Sequence, residues 1–278
     1  MIRNLLCMIG VLAFGGLHAT ASTVYFTDVE IVTSSGSGSV DVFHPNGLTA
    51  SNSNSETGES GSGSANLTTG TLGILSSGNF PEGSQGQNNL FTVAQFGDSI
   101  TAHGATAGLN LGVNISVDGT VDLSDPTQNF TALLVAAYAP GSFDTGGLPI
   151  WGEGFLLGPG TLDPSSYFSA IGVTNAGSFG AGPQSIPVSI PFSTLGSNFQ
   201  LVVGLATEIN GNAPTGTTWN VDYSHTLHAS LTAPDGVSLT SGAGLPGTSV
   251  DSRTPEPASL ILLASGVLAL TVRRKVAA

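Results

Sequence analysis

The chain has 278 residues, with 39 Gly and 15 Pro but only 8% charged side chains, against about 25% in an average globular domain. Five bases face 18 acids, a formal net charge of −13. Lys, Arg, Glu and Gln are too scarce for a helix-rich protein, and a hydrophobic content of 40% is too high for a disordered acidic tail.

Residues 1–21 have the order of a secretory signal: Arg3 as the positive start, an apolar stretch from Leu5 to Leu17, then Ala19-Thr20-Ala21 as an A-x-A cleavage site. The single cysteine, Cys7, falls inside that signal, so a processed chain would have neither disulfide nor thiolate chemistry. From Ser22 to Arg253 the only base is Arg253, whereas every acid but Glu256 lies there. Apolar burial and backbone hydrogen bonds must therefore hold this region together. Nucleic acid and anionic membrane surfaces are repelled by it, so no nucleic-acid partner is expected. A cation such as Ca²⁺ would relieve the negative charge, and solubility alone would also account for it.

Strand signals follow. Val24 to Val32 alternates with β-branched and aromatic residues. Ser51 to Ser64 reads SNSNSETGESGSGS and is expected to be a mobile loop over residues 51–64, because it offers almost nothing apolar to bury. Ala65 to Leu75 reads as one strand. Phe96-Gly97-Asp98-Ser99-Ile100-Thr101 resembles the nucleophile block of SGNH-type esterases, and Asp222-Tyr223-Ser224-His225 supplies the late D-x-x-H. The resemblance implies Ser99 as nucleophile, His225 as base and Asp222 as its orienter. It also requires a strand-to-helix turn at Ser99, whereas the residues after Ser99 are Gly-rich and strand-like. A strand would place Asp222 and His225 on opposite faces. No catalytic residue and no enzyme activity is expected.

Leu109 to Val117 puts Leu109, Leu111, Val113, Ile115 and Val117 on one face. Asp118-Gly119 then reads as a two-residue hairpin turn into Thr120-Val121-Asp122-Leu123. Asp118, Asp122 and Asp125 around it offer the oxygens that Ca²⁺ takes, but fit no EF-hand loop, and Asp favours turns for local reasons. No cofactor or metal is expected. Phe130–Tyr138, Ile186–Phe192, Phe199–Thr207, Thr217–Tyr223 and Thr226–Thr232 continue the strands, spaced about ten residues apart and separated by Gly, Pro, Asn or Asp. His225 and His228 would suit zinc on a helix, but on a strand they diverge; His44 and His103 stand alone. Trp151, Trp219 and the four tyrosines are candidates for a sugar-stacking platform or for core. The expected fold class is all-β: a single antiparallel β-sandwich, jelly-roll-like, over residues 22–242, flanked by a signal helix and a short C-terminal transmembrane helix.

Residues 243–254, AGLPGTSVDSRT, read as a linker. Pro255-Glu256-Pro257 follows, then an apolar run from Ala258 to Val272, then Arg273-Arg274-Lys275. As helix the run is about 22 Å long, short of the roughly 30 Å hydrocarbon core. The basic triplet favours the cytoplasmic side. Pro255, Glu256 and Pro257, the short span and the terminal Arg273, Arg274 and Lys275 together resemble the PEP-CTERM sorting signal of exported bacterial proteins. The resemblance implies recognition by an exosortase, transient membrane engagement of residues 255–278, and a cell that makes exopolysaccharide. A plain membrane anchor is the alternative. Ala65–Leu72, Val113–Val121 and Val221–Gly242 resemble the early strand, central hairpin and closing strands of sandwich domains common among such proteins. The expectation is thus an exported, non-catalytic cell-surface or exopolysaccharide-matrix protein. A carbohydrate-binding module is the alternative, and an SGNH-like esterase a lesser one.

Overall fold

A computed structural model describes residues 25–33, 40–56, 58–80, 90–124, 129–138, 169–176, 183–209 and 214–250. Two mainly antiparallel sheets stack face to face. The main path of the first sheet runs in the order β10 (Ser169–Ala176), β9 (Asn129–Tyr138), β12 (Asn198–Ile209), β6 (Leu90–His103), β1 (Phe26–Val32), β2 (Val40–Pro45). The second runs β11 (Gln184–Pro191), β7 (Asn110–Val117), β13 (Thr218–Thr232), β5 (Thr71–Asn79), β4 (Glu59–Asn66), β3 (Thr49–Glu56), with β8 (Thr120–Leu123) also on β13. The short β14 (Ser238–Ser241) extends the first sheet beside β6 and pairs in parallel with β15 (Ser249–Val250). One four-residue helix, α1 (Phe192–Leu195), tucks Phe192 and Leu195 into the core between β11 and β12. An all-β antiparallel sandwich is therefore what this composition folds into. The expected signal helix and transmembrane helix lie outside the described residues. Among the described residues no helix is long and apolar enough to cross a membrane.

Period-two alternation builds the inner faces. Leu111, Val113, Ile115 and Val117 of β7 are buried, and their neighbours Asn114 and Ser116 are exposed. Ala94, Phe96, Ile100 and Ala102 of β6 meet them from the first sheet, with Leu201, Val203 and Leu205 of β12 alongside. The middle of the first sheet is also buried on its other face. Phe26, Phe91, Val93, Val202 and Ala206 are buried yet stand apart from the inter-sheet core. Consequently β12 has an unbroken buried run after its first residue, the pattern of a strand covered on both sides.

Four local expectations fail, each for a physical reason. The loop expected at residues 51–64 is a β-hairpin, β3–β4, paired in register from Thr49↔Asn66 to Glu56↔Glu59. Its core face is built from glycines because the sheets come too close there for side chains. A Cβ at Gly61 would lie 2.8 Å from Thr92 Oγ1 and one at Gly63 2.6 Å from Val29 Cγ1. The strand expected over Ala65–Leu75 is broken by a turn at Leu67–Gly70. Asn66 Oδ1 accepts from Thr69 N at 3.1 Å, and Gly70 has φ +64°, a left-handed conformation that suits glycine.

Asp118-Gly119 is not a hairpin turn either. β7 and β8 both lie along the same neighbour, β13, pairing with Ala229↔Ile115 and Val221↔Val121 respectively. The chain kinks at Gly119 beside an irregularity in β13 between Tyr223 and Leu227. Gly119 is required because a Cβ would sit 2.2 Å from the Tyr223 ring. Finally, the linker expected at residues 243–254 is folded as far as Val250. Leu245 is buried, Leu231 N donates to Pro246 O at 2.8 Å, and β15 pairs with β14.

Candidate functional site

The residues expected to carry sorting, Pro255, Glu256, Pro257, Arg273, Arg274 and Lys275, and the cleavage residues Ala19 and Ala21, lie outside the described residues. So do Asp125 and Trp151. The other candidates are placed and can be weighed.

Ser99 sits within the long antiparallel strand β6, directly opposite Gln200 of β12. Gln200 Nε2 donates to Ser99 Oγ at 3.3 Å. The strand-to-helix turn that the esterase resemblance implies is absent at this position. Asp222 belongs to β13 in the opposite sheet, and its Oδ1 accepts from Ser224 N at 2.9 Å and Ser224 Oγ at 2.7 Å. Asp222 is thus engaged by Ser224 in a local Asx-type turn. His225 lies on β13, in the stretch where the register slips.

His44, His103 and His228 are exposed. His44 Nδ1 bonds to Thr49 O at 2.8 Å across the turn between β2 and β3. Among the described residues no three His, Cys, Asp or Glu side chains converge as a metal cluster. Asp118 and Asp122 are exposed on either side of the Gly119 kink. Trp219 is core: its Nε1 donates to Ser76 Oγ at 3.1 Å and its ring packs on Phe80 with centroids 4.9 Å apart. Tyr223 is also fully buried. Leu48 is the one exposed large hydrophobic among the described residues, so none of their aromatic rings lies open as a sugar platform.

Two buried carboxyls are not apparent in the sequence. Asp98 lies on the inner face of β6, sharing that face with Phe96 and Ile100. Burial pushes its carboxyl up to about 7, against hydrogen bonds from the Ser241 hydroxyl and the N–H groups of Ala243, Ser99 and Gly242. Ala243 N reaches its Oδ2 at 3.4 Å. Ser241 Oγ in turn accepts from Gly244 N at 2.7 Å and Leu245 N at 3.1 Å. Asp98 therefore pins the Ser241–Leu245 turn, which is why the expected linker is folded.

Asp28 lies on the outer face of β1. It is opposite Gln95 of β6 on one side and Phe43 of β2 on the other. Gln95 Nε2 donates to its Oδ2 at 2.7 Å. Burial raises its carboxyl to about 7; Gln95 opposes that shift, and neighbouring Asp41 and Glu30 add to it. The signal available in the sequence is an acid spaced with inward and outward apolar residues in a strand that also carries Phe26, Val29 and Ile31. It is faint, because alternation does not say that both faces are covered.

Comparison with known proteins adds one decisive observation. Residues 253–275 match the PEP-CTERM protein-sorting motif. The chain ends in a PEP-CTERM sorting signal. That motif marks a protein for export and sorting to the cell surface. No curated protein matches the chain. Among solved structures, it is similar to the carbohydrate-binding module TmCBM61, solved in complex with β-1,4-galactotriose. The identity is 9% over 67% of this chain and 88% of that one, with a TM-score of 0.26. It is also similar to a structure from a study of carbohydrate-binding modules of the β-sandwich superfamily, at 8% identity over 74% of each chain and a TM-score of 0.28. At such scores neither likeness bears on what this PEP-CTERM protein binds.

Proposed function

We propose that this chain is a non-catalytic component of the cell surface or exopolysaccharide matrix, delivered there by an exosortase. The observation that carries the reading is the PEP-CTERM motif at residues 253–275, just after the last folded strand at Ser249–Val250. In this reading residues 1–21 direct export and are cut after Ala21. The span Ala258–Val272 engages the inner membrane transiently, with Arg273, Arg274 and Lys275 left cytoplasmic. The exosortase recognises Pro255-Glu256-Pro257 and removes the tail. The mid-strand position of Ser99 and the engagement of Asp222 by Ser224 support a body without ester chemistry.

The test is expression in a bacterium that carries an exosortase, with mass spectrometry of the C-terminus and cell fractionation. The wild-type chain should lose its tail and leave the inner membrane. The double variant Pro255→Ala, Glu256→Ala should keep the tail and stay membrane-bound. Equal processing of both, or a cytosolic chain with both ends intact, would overturn the sorting reading. Turnover of p-nitrophenyl esters that disappears in Ser99→Ala would overturn the non-catalytic one.

A further inference from the structure

The outer face of the first sheet gathers acids where no base can reach them. Asp28 and Glu30 point to this face from β1, and Asp41 of the edge strand β2 lies directly opposite Glu30 and diagonal to Asp28. Gln95 faces Asp28 from β6. Like charges this near one another across strands repel. The sandwich contains no Lys, and Arg253 is the only Arg between residue 22 and the tail.

A second feature makes this more than an acidic cluster. Asp28 and Gln95 are both fully buried, and each carries an oxygen without a hydrogen-bond partner: Asp28 Oδ1 and Gln95 Oε1. Buried acceptors are rarely left so. A single extra donor could satisfy one of them, but the groups around them are acceptors. A carboxylate oxygen, an amide oxygen and a second carboxylate are what a hard cation takes as ligands. Asp41 is exposed, so the cluster opens at the sheet edge, while the Phe43 ring beside Asp28 closes it laterally.

We infer that Asp28, Asp41 and Gln95 bind a Ca²⁺ ion, with Glu30 adding negative charge and solvent completing the shell. Ca²⁺ suits the site better than Mg²⁺, because it accepts irregular sets of six to eight oxygens whereas Mg²⁺ demands an octahedron. The site is separate from the acids near the Gly119 kink, Asp118 and Asp122, which belong to the other sheet's β7–β8 segment.

The experiment is calorimetric titration of the purified full chain with CaCl₂ after EDTA treatment and dialysis, paired with thermal unfolding. One site is expected, with Kd of about 10⁻⁴–10⁻³ M, the range of extracellular modules. MgCl₂ at equal ionic strength should bind more weakly. Asp41→Asn, an exposed substitution, should cost roughly tenfold or more in affinity. Asp28→Asn should abolish the Ca²⁺ response and raise the unfolding midpoint of the metal-free protein, since it removes a buried charge. Asp118→Asn with Asp122→Asn should bind as wild type does. The inference is overturned if wild type shows no Ca²⁺-specific heat or midpoint shift, if Asp41→Asn binds at full affinity, or if the Asp118/Asp122 pair carries the loss instead. Should Asp28→Asn fail to fold, Asp41→Asn alone decides.

Discussion

Gly63→Ala tests whether the Ser- and Gly-rich stretch at residues 51–64 is a hairpin pressed into the core or a loose loop. Gly63 pairs with Asn52 of β3 and Ile74 of β5, and its absent side chain would point at Val29 of the facing sheet. An added Cβ meets Val29 Cγ1 at 2.6 Å and Val93 O at 3.4 Å. Val29 is fully buried, and its β-branched side chain has few rotamers with which to move aside. Overpacking of this kind costs about 1–3 kcal/mol. In a mobile loop the same change would be neutral or would stabilise by about 0.4–1 kcal/mol, by narrowing the unfolded ensemble. The sign of the effect therefore separates the two cases. Urea unfolding of the purified protein should give a lower midpoint for Gly63→Ala and a change within about 0.5 kcal/mol for the outward-facing Ser64→Ala. Combining Gly63→Ala with Val29→Ala should relieve the clash, so the double variant should be less destabilised than the two single changes added together. A Gly63→Ala midpoint equal to or above wild type would refute the close approach of the two sheets at β4.

Trp219→Ala should cost about 3–5 kcal/mol in urea unfolding, because it removes the ring packed on Phe80 and the bond to Ser76 together; a loss under 1 kcal/mol would place Trp219 outside the core. Stability in EDTA should fall as pH rises from about 4 towards about 7, since the Asp98 carboxyl titrates at about 7 in the folded chain, raised from the ordinary 3.8 that it regains on unfolding. The folded state then binds more protons than the unfolded one, so the stabilisation present below the unfolded value is lost through the folded one. The slope should be on the order of 1 kcal/mol per pH unit for each such group, with Asp28 contributing in the same direction. Asp98→Asn should flatten part of that slope in pH-dependent thermal unfolding, and an unchanged slope in this variant would show that Asp98 is not the titrating group.

The long strands are legible wherever one face is apolar and the other polar. β7 shows this best: Leu111 to Val117 alternates in the sequence and in the sandwich alike. β9 and β12 match the expected segments within a few residues at either end. What is illegible has a common cause. Sequence periodicity records side-chain polarity, and at several points here the determining quantity is the absence of a side chain. In β4 the buried positions are Glu59, Gly61, Gly63 and Ala65, so a strict alternation is present but written in residues without hydrophobic bulk. At Gly119 the same effect misleads in the other direction. Asp-Gly has the chemistry of a tight turn, yet the glycine is there to let the Tyr223 ring lie against the backbone. Of the candidate chemistry, the sequence can assemble Ser99, Asp222 and His225 by type, but only the fold shows Ser99 and Asp222 in different sheets.

The two buried carboxyls show how a domain almost without bases can take acids inside. An ordinary protein would set an Arg or Lys beside Asp98 and Asp28; here the compensation must be a donor, a proton or an external cation. Asp98 uses donors. The Ser241 hydroxyl and backbone N–H groups from Ser99, Gly242 and Ala243 converge on it, and the carboxyl also keeps its proton well above the usual range. That solution orders residues 241–250, so the folded body reaches to within a few residues of Pro255. Asp28 has Gln95 as its side-chain donor and Asp41 and Glu30 as further negative charge. The same sheet thus meets one problem in two ways: the inner face closes its carboxyl with hydrogen bonds, and the outer face leaves a carboxylate and an amide oxygen for something positive. If Asp28 were satisfied as Asp98 is, substituting either by Asn should affect Ca²⁺ response alike. The differing surroundings require that only the change at Asp28 abolish it.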